Sequence, residues 1–138
     1  MYGFHRVIVP KGVVPQAAKI VDSTPKILHP SEMLLTVYKL NLDSTSMRQL
    51  RESSDDVPGR IREIVRTRGK MHNPITNSGG VMIGKVRELG DCWKSRGLKK
   101  GEWLIPLVSL SAIPMSLSSI SEIRGDMVAA KGGGYYFR

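Results

Sequence analysis

The sequence is poor in cysteine, in aromatic residues and in long apolar segments, and two of these shortages exclude whole classes of protein. Cys92 is the one cysteine, so the chain can form neither an internal disulfide nor a multi-cysteine zinc site. No apolar run approaches the roughly 18 residues that would indicate a membrane span. The amino terminus, MYGFHRVIVPKG, lacks the order of charged and apolar residues found in a signal peptide. We therefore expect a cytoplasmic protein that does not enter a membrane.

A dinucleotide-binding fingerprint is also missing. Nicotinamide dehydrogenases carry G-x-G-x-x-G between a strand and a helix, with an acidic residue about 20 residues further on. None of the 138 residues supplies that arrangement. The sequence therefore predicts that a Rossmann domain is absent from this chain.

Acidic residues are outnumbered by basic ones, 12 to 21, which gives a formal net charge of +9. A basic excess can indicate nucleic-acid binding, but such proteins usually cluster their charges or interleave them with aromatic residues, and only 6% of this chain is aromatic. The dense basic group here runs from Arg60 to Lys70 and is interrupted by Glu63. We interpret it as the solvated face of a helix, with a face that contacts phosphate or carboxylate groups as the alternative.

The distribution of apolar runs favours one mainly β domain. A chain of 138 residues is long enough for a single domain with a substantial core. Its short apolar runs recur near regular intervals and are separated by glycine and proline turns, which favours a barrel or sandwich over alternating β and α units. Gly132 to Gly134 is interpreted as a turn. The predicted strands are Phe4 to Val9, Glu32 to Leu42, a run around Val81 to Val86, Glu102 to Leu110, Ile120 to Ile123, Met127 to Ala130 and Tyr135 to Arg138.

Two short helices are predicted between the Glu32 to Leu42 strand and the loop that follows Gly69. In DSTSMRQLRESS, Ser46 with Gln49 three residues later fits a capping box. In the next segment, apolar residues between Ile61 and Val65 fall at i, i+3 and i+4. Gly69 stands where a glycine would end that helix.

The stretch from Gly69 to Gly90 joins a polar loop to a strand. Its Asn-Pro and Asn-Ser-Gly-Gly segments mark turns, because glycine supplies positive φ angles and asparagine tolerates them. Gly84, inside the apolar run, indicates a bulge or the close approach of another backbone. We expect the loop to lie at a sheet edge or at the mouth of a barrel.

Several motifs resemble a known enzyme family. Gly79, Gly84, Glu88 and Gly90, followed by LKKGEWLIPL, resemble the G-H-E-x-x-G-x-V-x-x-x-G and K-x-G-D-x-V patterns of the GroES-like domain of medium-chain alcohol dehydrogenases. HRVIVPKGVVPQ, LNLDSTS, RGKMHNPITNSGG and LVSL resemble more closely the amino-terminal part of the L-erythro-3,5-diaminohexanoate dehydrogenase family, which acts in anaerobic lysine fermentation. The resemblance implies a GroES-like, partly open β-barrel with two short helices.

The resemblance also implies a function. Residues 1–138 would form the single substrate-side domain at the amino terminus of a longer two-domain dehydrogenase. The reaction would be NAD(P)-dependent oxidative deamination of L-erythro-3,5-diaminohexanoate at C3, giving 5-amino-3-oxohexanoate and ammonia. NAD or NADP would be bound mainly by a Rossmann domain outside this chain, which would then be a truncated fragment or one part of a split enzyme. The chain alone would be inactive, and whether it forms a homo-oligomer stays open.

The resemblance places the zinc-ligand positions of alcohol dehydrogenases on unsuitable residues. The cysteine position in LNLDSTSMR falls on Asp43, and the histidine and glutamate positions of the glycine motif fall on Gly80 and Val81. A catalytic zinc site usually needs three ligands of the cysteine, histidine or carboxylate type. We therefore predict that the protein binds no zinc.

Without a metal, removal of hydride from an amine-bearing carbon needs a group that accepts the ammonium proton and a group that activates water for imine hydrolysis. Asp43 and His72 are the candidate catalytic residues by type. Asp43 would pair with a substrate amine, and Arg48 or Lys70 would pair with the substrate carboxylate. The candidate substrate-binding residues are Ser44, Ser46, Arg48, Lys70, Asn73, Asn77 and Ser78.

Alternatives remain for these residues and for the function. Asp43, Ser44 and Ser46 would equally serve as helix caps, and His72 would equally be an exposed loop residue. The chain as a whole would alternatively be a GroES-like binding module without activity, or a small basic β-barrel whose nucleic-acid affinity falls steeply with salt. A Rossmann domain encoded downstream in the same reading frame would favour the dehydrogenase.

Overall fold

The computed structural model describes residues 2–76 and 78–137. Its main element is an antiparallel sheet with strand order β5-β4-β3-β7-β6, and β1 pairs with β2 in a separate small sheet. The mainly β class is confirmed, although the sheet does not close into a barrel within the described residues. The strands are β1 Val7–Val9, β2 Ile20–Val21, β3 Glu32–Leu42, β4 Gly80–Leu89, β5 Trp103–Leu104, β6 Met115–Arg124 and β7 Met127–Phe137; the helices are α1 Ser44–Ser53 and α2 Val57–Arg68. Short 3₁₀ turns lie at Phe4–Arg6, Pro15–Ala17, Asp91–Arg96 and Leu110–Ala112.

The central strand β3 confirms the prediction of a strand from Glu32 to Leu42. It pairs with β4 on one side and β7 on the other, and its register with both shifts between Val37 and Lys39. Gly84, where the sequence indicated a bulge or close contact, pairs with Val37 beside this shift. A Cβ atom on Gly84 would lie 2.7 Å from the carbonyl oxygen of Thr36, so the predicted close approach is confirmed.

The hairpin of β6 and β7 replaces the short strands and the turn that the sequence predicted. Gly132 to Gly134 lie inside β7 and pair with both β3 and β6, so the prediction of a turn there is wrong. The reason is steric, because a Cβ atom on Gly132 would lie 1.9 Å from the carbonyl oxygen of Ser116. Glycine permits the strands to meet at a position where a side chain would not fit.

Two other predicted strands are shorter in the structure. Of Glu102 to Leu110, only Trp103–Leu104 pairs with β4. Pro106 lacks the N–H group that a longer ladder would need. Of Phe4 to Val9, the first three residues form a 3₁₀ turn in which the amide of Arg6 donates to the carbonyl of Gly3.

Helix α2 packs against β6 and contacts α1, and both helices place apolar side chains in the main core. Ile61, Ile64 and Val65 of α2 are buried, as their spacing predicts. Gly69 ends the helix with φ 73°, and its amide donates to the carbonyl of Val65 over 2.8 Å. The main core joins these residues to apolar side chains of β3, β4 and β7, whereas Val7, Ala18 and Val21 form a smaller cluster. Among the described residues, no helix is both long enough and apolar enough to cross a membrane.

Candidate functional site

The candidate site lies where the end of β3 meets the start of β4. Because the two strands are antiparallel, Leu42 pairs with Gly80, and the amide of Asp43 points to the carbonyl of Gly79 over 3.4 Å. The strand pairing therefore brings the segment that follows β3 against the polar loop that precedes β4. The loop therefore lies at the end of the sheet where the inner strands β3 and β4 meet, and its position at a sheet edge or barrel mouth stays a prediction.

Asp43 is the central residue of this site. Its Oδ1 accepts a hydrogen bond from the amide of Ser46 at 2.8 Å, and its Oδ2 accepts from the hydroxyls of Ser46 at 2.8 Å and Ser78 at 3.0 Å. The backbone contact makes Asp43 the N-cap of α1, so the proposed cap role of Asp43 is confirmed. The capping box predicted for Ser46 and Gln49 is wrong, because the helix begins two residues before Ser46.

The pKa of Asp43 shows that these contacts keep the carboxyl ionised. Partial burial acts to raise the pKa, but the hydrogen bonds from Ser46 and Ser78 outweigh it and lower the pKa below its usual value. Hydrogen bonds to a carboxylate favour its charged form. Asp43 therefore carries a full negative charge at neutral pH.

Asn73 ties the polar loop to α1. Its side-chain amide donates to the hydroxyl of Ser46 at 3.2 Å and to Oε1 of Gln49 at 2.6 Å, while its Oδ1 accepts from the amide of Ile75 at 2.9 Å. Asn73 is 6% exposed, so it contacts Ser46 from the interior of the protein. Its role is to hold the hydroxyl that donates to Asp43.

An open depression of about 600 Å³ is lined by Asp43, which is partly exposed. The side chains of Asp43 and Ser78 contribute polar groups, and Leu107, which is 93% exposed, belongs to an apolar rim. The other lining residues are Gln16, Gly79, Gly80, Val81, Val108 and Ser109. The depression thus joins one fixed negative charge to an apolar edge.

His72 lies in the wall of a different cavity. It is 3% exposed, so the alternative of an exposed loop residue is wrong. The cavity measures about 110 Å³, lies between α1, α2 and the loop, and is also lined by Ser46 and Asn73. The structure therefore does not bring His72 and Asp43 into one pocket.

The remaining predicted residues are dispersed. Ser44 and Arg48 are exposed on α1, and Arg48 lies 4.0 Å from Glu52 one turn along the helix. Asn77 lies outside the described residues. Lys70 is 0% exposed, and its ammonium group donates to backbone carbonyls inside the protein, out of reach of a substrate carboxylate.

The chain is similar to known proteins over almost its whole length. A family described as the L-erythro-3,5-diaminohexanoate dehydrogenase N-terminal domain matches residues 5–138. The chain belongs to this family. The L-erythro-3,5-diaminohexanoate dehydrogenases of Fusobacterium nucleatum and Acetoanaerobium sticklandii are 42% and 39% identical to it over 143 residues. Each alignment covers 99% of this chain and 41% of the relative, so the chain spans about two fifths of the length of the curated relatives it matches.

Metal ligands are not gathered in this diaminohexanoate dehydrogenase domain. In residues 2–76 and 78–137, no group of three or more histidine, cysteine, aspartate or glutamate side chains could hold a metal ion. Asp43 has two serine hydroxyls as its side-chain partners, and neither is among the usual zinc ligands. The absence of zinc stays a prediction.

Sequence reasoning missed the most extensive buried network of the domain. The guanidinium of Arg6 binds Glu32 with both arms, Nε to Oε2 at 2.5 Å and Nη2 to Oε1 at 2.9 Å. His5 Nε2 lies 2.7 Å from the same carboxylate, and the ring of Tyr135 lies 3.8 Å from the Arg6 guanidinium carbon. Burial acts to raise the pKa of Glu32, but these contacts lower it overall. Arg6 and Glu32 are 26 residues apart, and no local pattern pairs residues at that separation.

Proposed function

We propose that this chain is the substrate-side domain of an NAD(P)-dependent L-erythro-3,5-diaminohexanoate dehydrogenase, which removes the C3 amine by oxidative deamination. Membership of the family supports the reaction, because both curated relatives carry that name. The observation that carries the proposed site is the ionised Asp43 carboxylate in an open depression. Such an anion can pair with an ammonium group, and the proposed substrate carries two of them.

The geometry supports charge pairing by Asp43 better than proton abstraction. A carboxyl whose pKa is lowered is a weaker proton acceptor, because general bases work best with a pKa near the operating pH. The same lowered pKa keeps the negative charge that binds an ammonium group. Ser78 and Ser46 hold the carboxylate in place, so one substrate amine would be oriented by a fixed charge.

A bound nicotinamide dinucleotide would supply the hydride acceptor. The described residues do not fit a site for it, because their sheet is antiparallel and lacks the parallel strand, glycine-rich turn and helix that bind a pyrophosphate. We infer that the dinucleotide binds mainly to the part of the enzyme that corresponds to the rest of the relatives' length. The contribution of this chain is to bind and orient the amino acid substrate.

The substitution Asp43→Asn in the complete dehydrogenase tests the proposal. Asparagine caps helices about as well as aspartate, so the change removes the charge and keeps the cap. A hydrogen bond to a charged group contributes about 1.5–3 kcal/mol, so we expect kcat/KM for 3,5-diaminohexanoate to fall roughly 10- to 100-fold. The melting temperature should change little.

Asp56→Asn is the matched control. Asp56 caps α2 through the amide of Gly59 at 3.0 Å and does not line the depression. This variant should keep the kcat/KM of the unmodified enzyme. If Asp43→Asn also keeps normal turnover, Asp43 is a helix cap and not a substrate ligand.

A further inference from the structure

Lys70 is a fully buried cation whose hydrogen bonds to the described residues all go to backbone oxygens. Its Nζ donates to the carbonyls of Pro15 at 2.7 Å, Ser111 at 2.9 Å and Gln16 at 3.3 Å. These three bonds use the full donor capacity of an ammonium group. One side chain therefore joins the 3₁₀ turns Pro15–Ala17 and Leu110–Ala112, which are about 95 residues apart in sequence.

Both turns border the depression that holds Asp43. Gln16 lines it directly, and Ser109 lines it as the N-cap of the second turn. The second turn also packs on Gly79, because a Cβ atom there would lie 2.8 Å from the amide nitrogen of Ser111. The backbone that faces Asp43 thus depends on the position of these two turns.

We propose that Lys70 is a positioning residue of the substrate site, whose ammonium group fixes the two backbone turns that form the walls of the Asp43 depression. The inference rests on the proposed function only for the identity of the substrate. Lysine suits this task because its long side chain reaches from the end of α2 and its head carries three donors. A methionine of similar length would fill the space but donate no hydrogen bond.

The alternative is that Lys70 stabilises the fold without affecting the site. Tyr135→Phe provides the matched comparison, because the Tyr135 hydroxyl also donates from a buried side chain to a backbone carbonyl, that of Thr24, at 2.7 Å. Neither residue touches the depression through its side chain. Tyr135→Phe therefore shows the effect of losing a buried hydrogen bond alone, whereas Lys70→Met also removes the contacts that position the two turns beside the depression.

Hydrogen exchange in this chain gives the first measurement. The amides of Ala18 and Ala112 donate within the two turns, to the carbonyls of Pro15 and Ser109. Lys70→Met should reduce the protection of both amides at least tenfold, whereas Tyr135→Phe should leave them within about twofold of the unmodified chain. Equal protection in Lys70→Met and the unmodified chain would overturn the proposal.

Kinetics of the complete dehydrogenase give the second measurement, at a temperature where all variants are folded. Because small displacements of positioning groups can cost about 10²-fold, Lys70→Met should lower kcat/KM by 10- to 100-fold, with Tyr135→Phe within twofold. Equal kcat/KM losses in both variants would show a general structural effect and overturn the proposal. If the unmodified enzyme does not oxidise 3,5-diaminohexanoate but the exchange result holds, the proposed function fails and the role of Lys70 in the turns stands.

A measurement on the unmodified chain covers the case in which Lys70→Met does not fold. Nitrogen-15 NMR of lysine side chains should show slowly exchanging Nζ protons for Lys70, at least tenfold slower than those of the exposed Lys99 and Lys100. Such slow exchange supports the fixed ammonium. Exchange as fast as at Lys99 and Lys100 would overturn the proposal.

Discussion

Arg6 and Lys70 are both fully buried cations that join distant backbone segments, but only Arg6 is neutralised. Each donates to three backbone carbonyls, and Arg6 in addition binds the Glu32 carboxylate with two parallel bonds. Within residues 2–76 and 78–137, every hydrogen-bond acceptor of Lys70 is an uncharged carbonyl. The carbonyls are those of Asp22, Thr24 and Lys26 for Arg6 and those of Pro15, Gln16 and Ser111 for Lys70.

The difference follows from the chemistry of the two side chains. A planar guanidinium fits a carboxylate with both arms and still has donors for carbonyls, so Arg6 can be buried with its counter-ion. An ammonium group with three carbonyl acceptors has no donor left for a carboxylate. Burial, together with the nearby charge of Arg68, lowers the pKa of Lys70 to about 8. The surroundings of Lys70 thus disfavour its charged form, and shifted pKa values of this kind are common for groups at functional sites.

The largest expected effect is a loss of stability when the negative charge that neutralises Arg6 is removed. Glu32→Gln removes the negative charge opposite Arg6 while keeping the side-chain volume, and an uncompensated buried charge costs about 3–5 kcal/mol. Urea unfolding should show a loss of that size in the free energy of unfolding. Glu122→Gln is the control, because Glu122 pairs with Arg124 at 2.6 Å on the exposed surface, where such pairs contribute about 0–1 kcal/mol. A loss below about 1 kcal/mol for Glu32→Gln would show that Arg6 does not need its counter-ion.

The next effect concerns pH and Lys70. Since the pKa is about 8 in the folded chain and 10.5 in the unfolded chain, the unfolded chain binds more protons between these values, and stability from this group rises as pH rises from 8 to 10.5. At about 1.36 kcal/mol per pKa unit, the gain reaches roughly 3 kcal/mol. Unfolding free energies measured at pH 7.5 and pH 10 should show most of this gain, about 2.4 kcal/mol, relative to Lys70→Met, in which the group is absent. If the difference in unfolding free energy between the two proteins stayed constant from pH 7.5 to pH 10, the comparison with Arg6 would be contradicted.

The smallest expected effect on stability concerns the hydrogen bonds around Arg6. Tyr135→Phe removes one hydrogen bond to the carbonyl of Thr24, which retains a bond from Arg6 Nη1 at 3.0 Å. A hydrogen bond of this type contributes about 0.5–1.5 kcal/mol, so the melting temperature should fall by a few degrees. If Tyr135→Phe lowered the free energy of unfolding more than Glu32→Gln does, the tyrosine and not the ion pair would be the main stabilising residue of this region.

Sequence patterns predicted the parts of the fold that local interactions determine. The strand from Glu32 to Leu42 follows from its apolar residues between Leu34 and Leu40, and α2 follows from its apolar spacing and from Gly69. The position of Asp43 beside the loop that contains Ser78 could also be predicted from the sequence, because it requires only the antiparallel pairing of β3 and β4. The resemblance to the dehydrogenase family supplied the family name and the proposed substrate, which no local pattern contains.

The missed features depend on contacts between residues far apart in sequence. Nothing near Lys70 indicates that its side chain turns inward, because the carbonyls that bind it are 41 or more residues away. The burial of His72 likewise depends on how the polar loop that precedes β4 packs against α1 and α2. Asn73 fixes that loop through its hydrogen bond to Gln49. Composition and spacing report residue types, whereas these side chains take their positions from the assembled core.

The three glycines inside β7 have a consequence for sequence variation. Since Gly132 has no space for a Cβ atom, and since added atoms at Gly133 and Gly134 would lie 3.1 Å from the side chains of Leu34 and Met82, larger residues would push apart the middle of the sheet. In a library in which every codon is randomised, we expect Gly132 to accept no other residue and its two neighbours to accept few. An alignment showing only this invariance would look like a conserved loop, although it marks a segment of β7 that pairs with β3 on one side and β6 on the other.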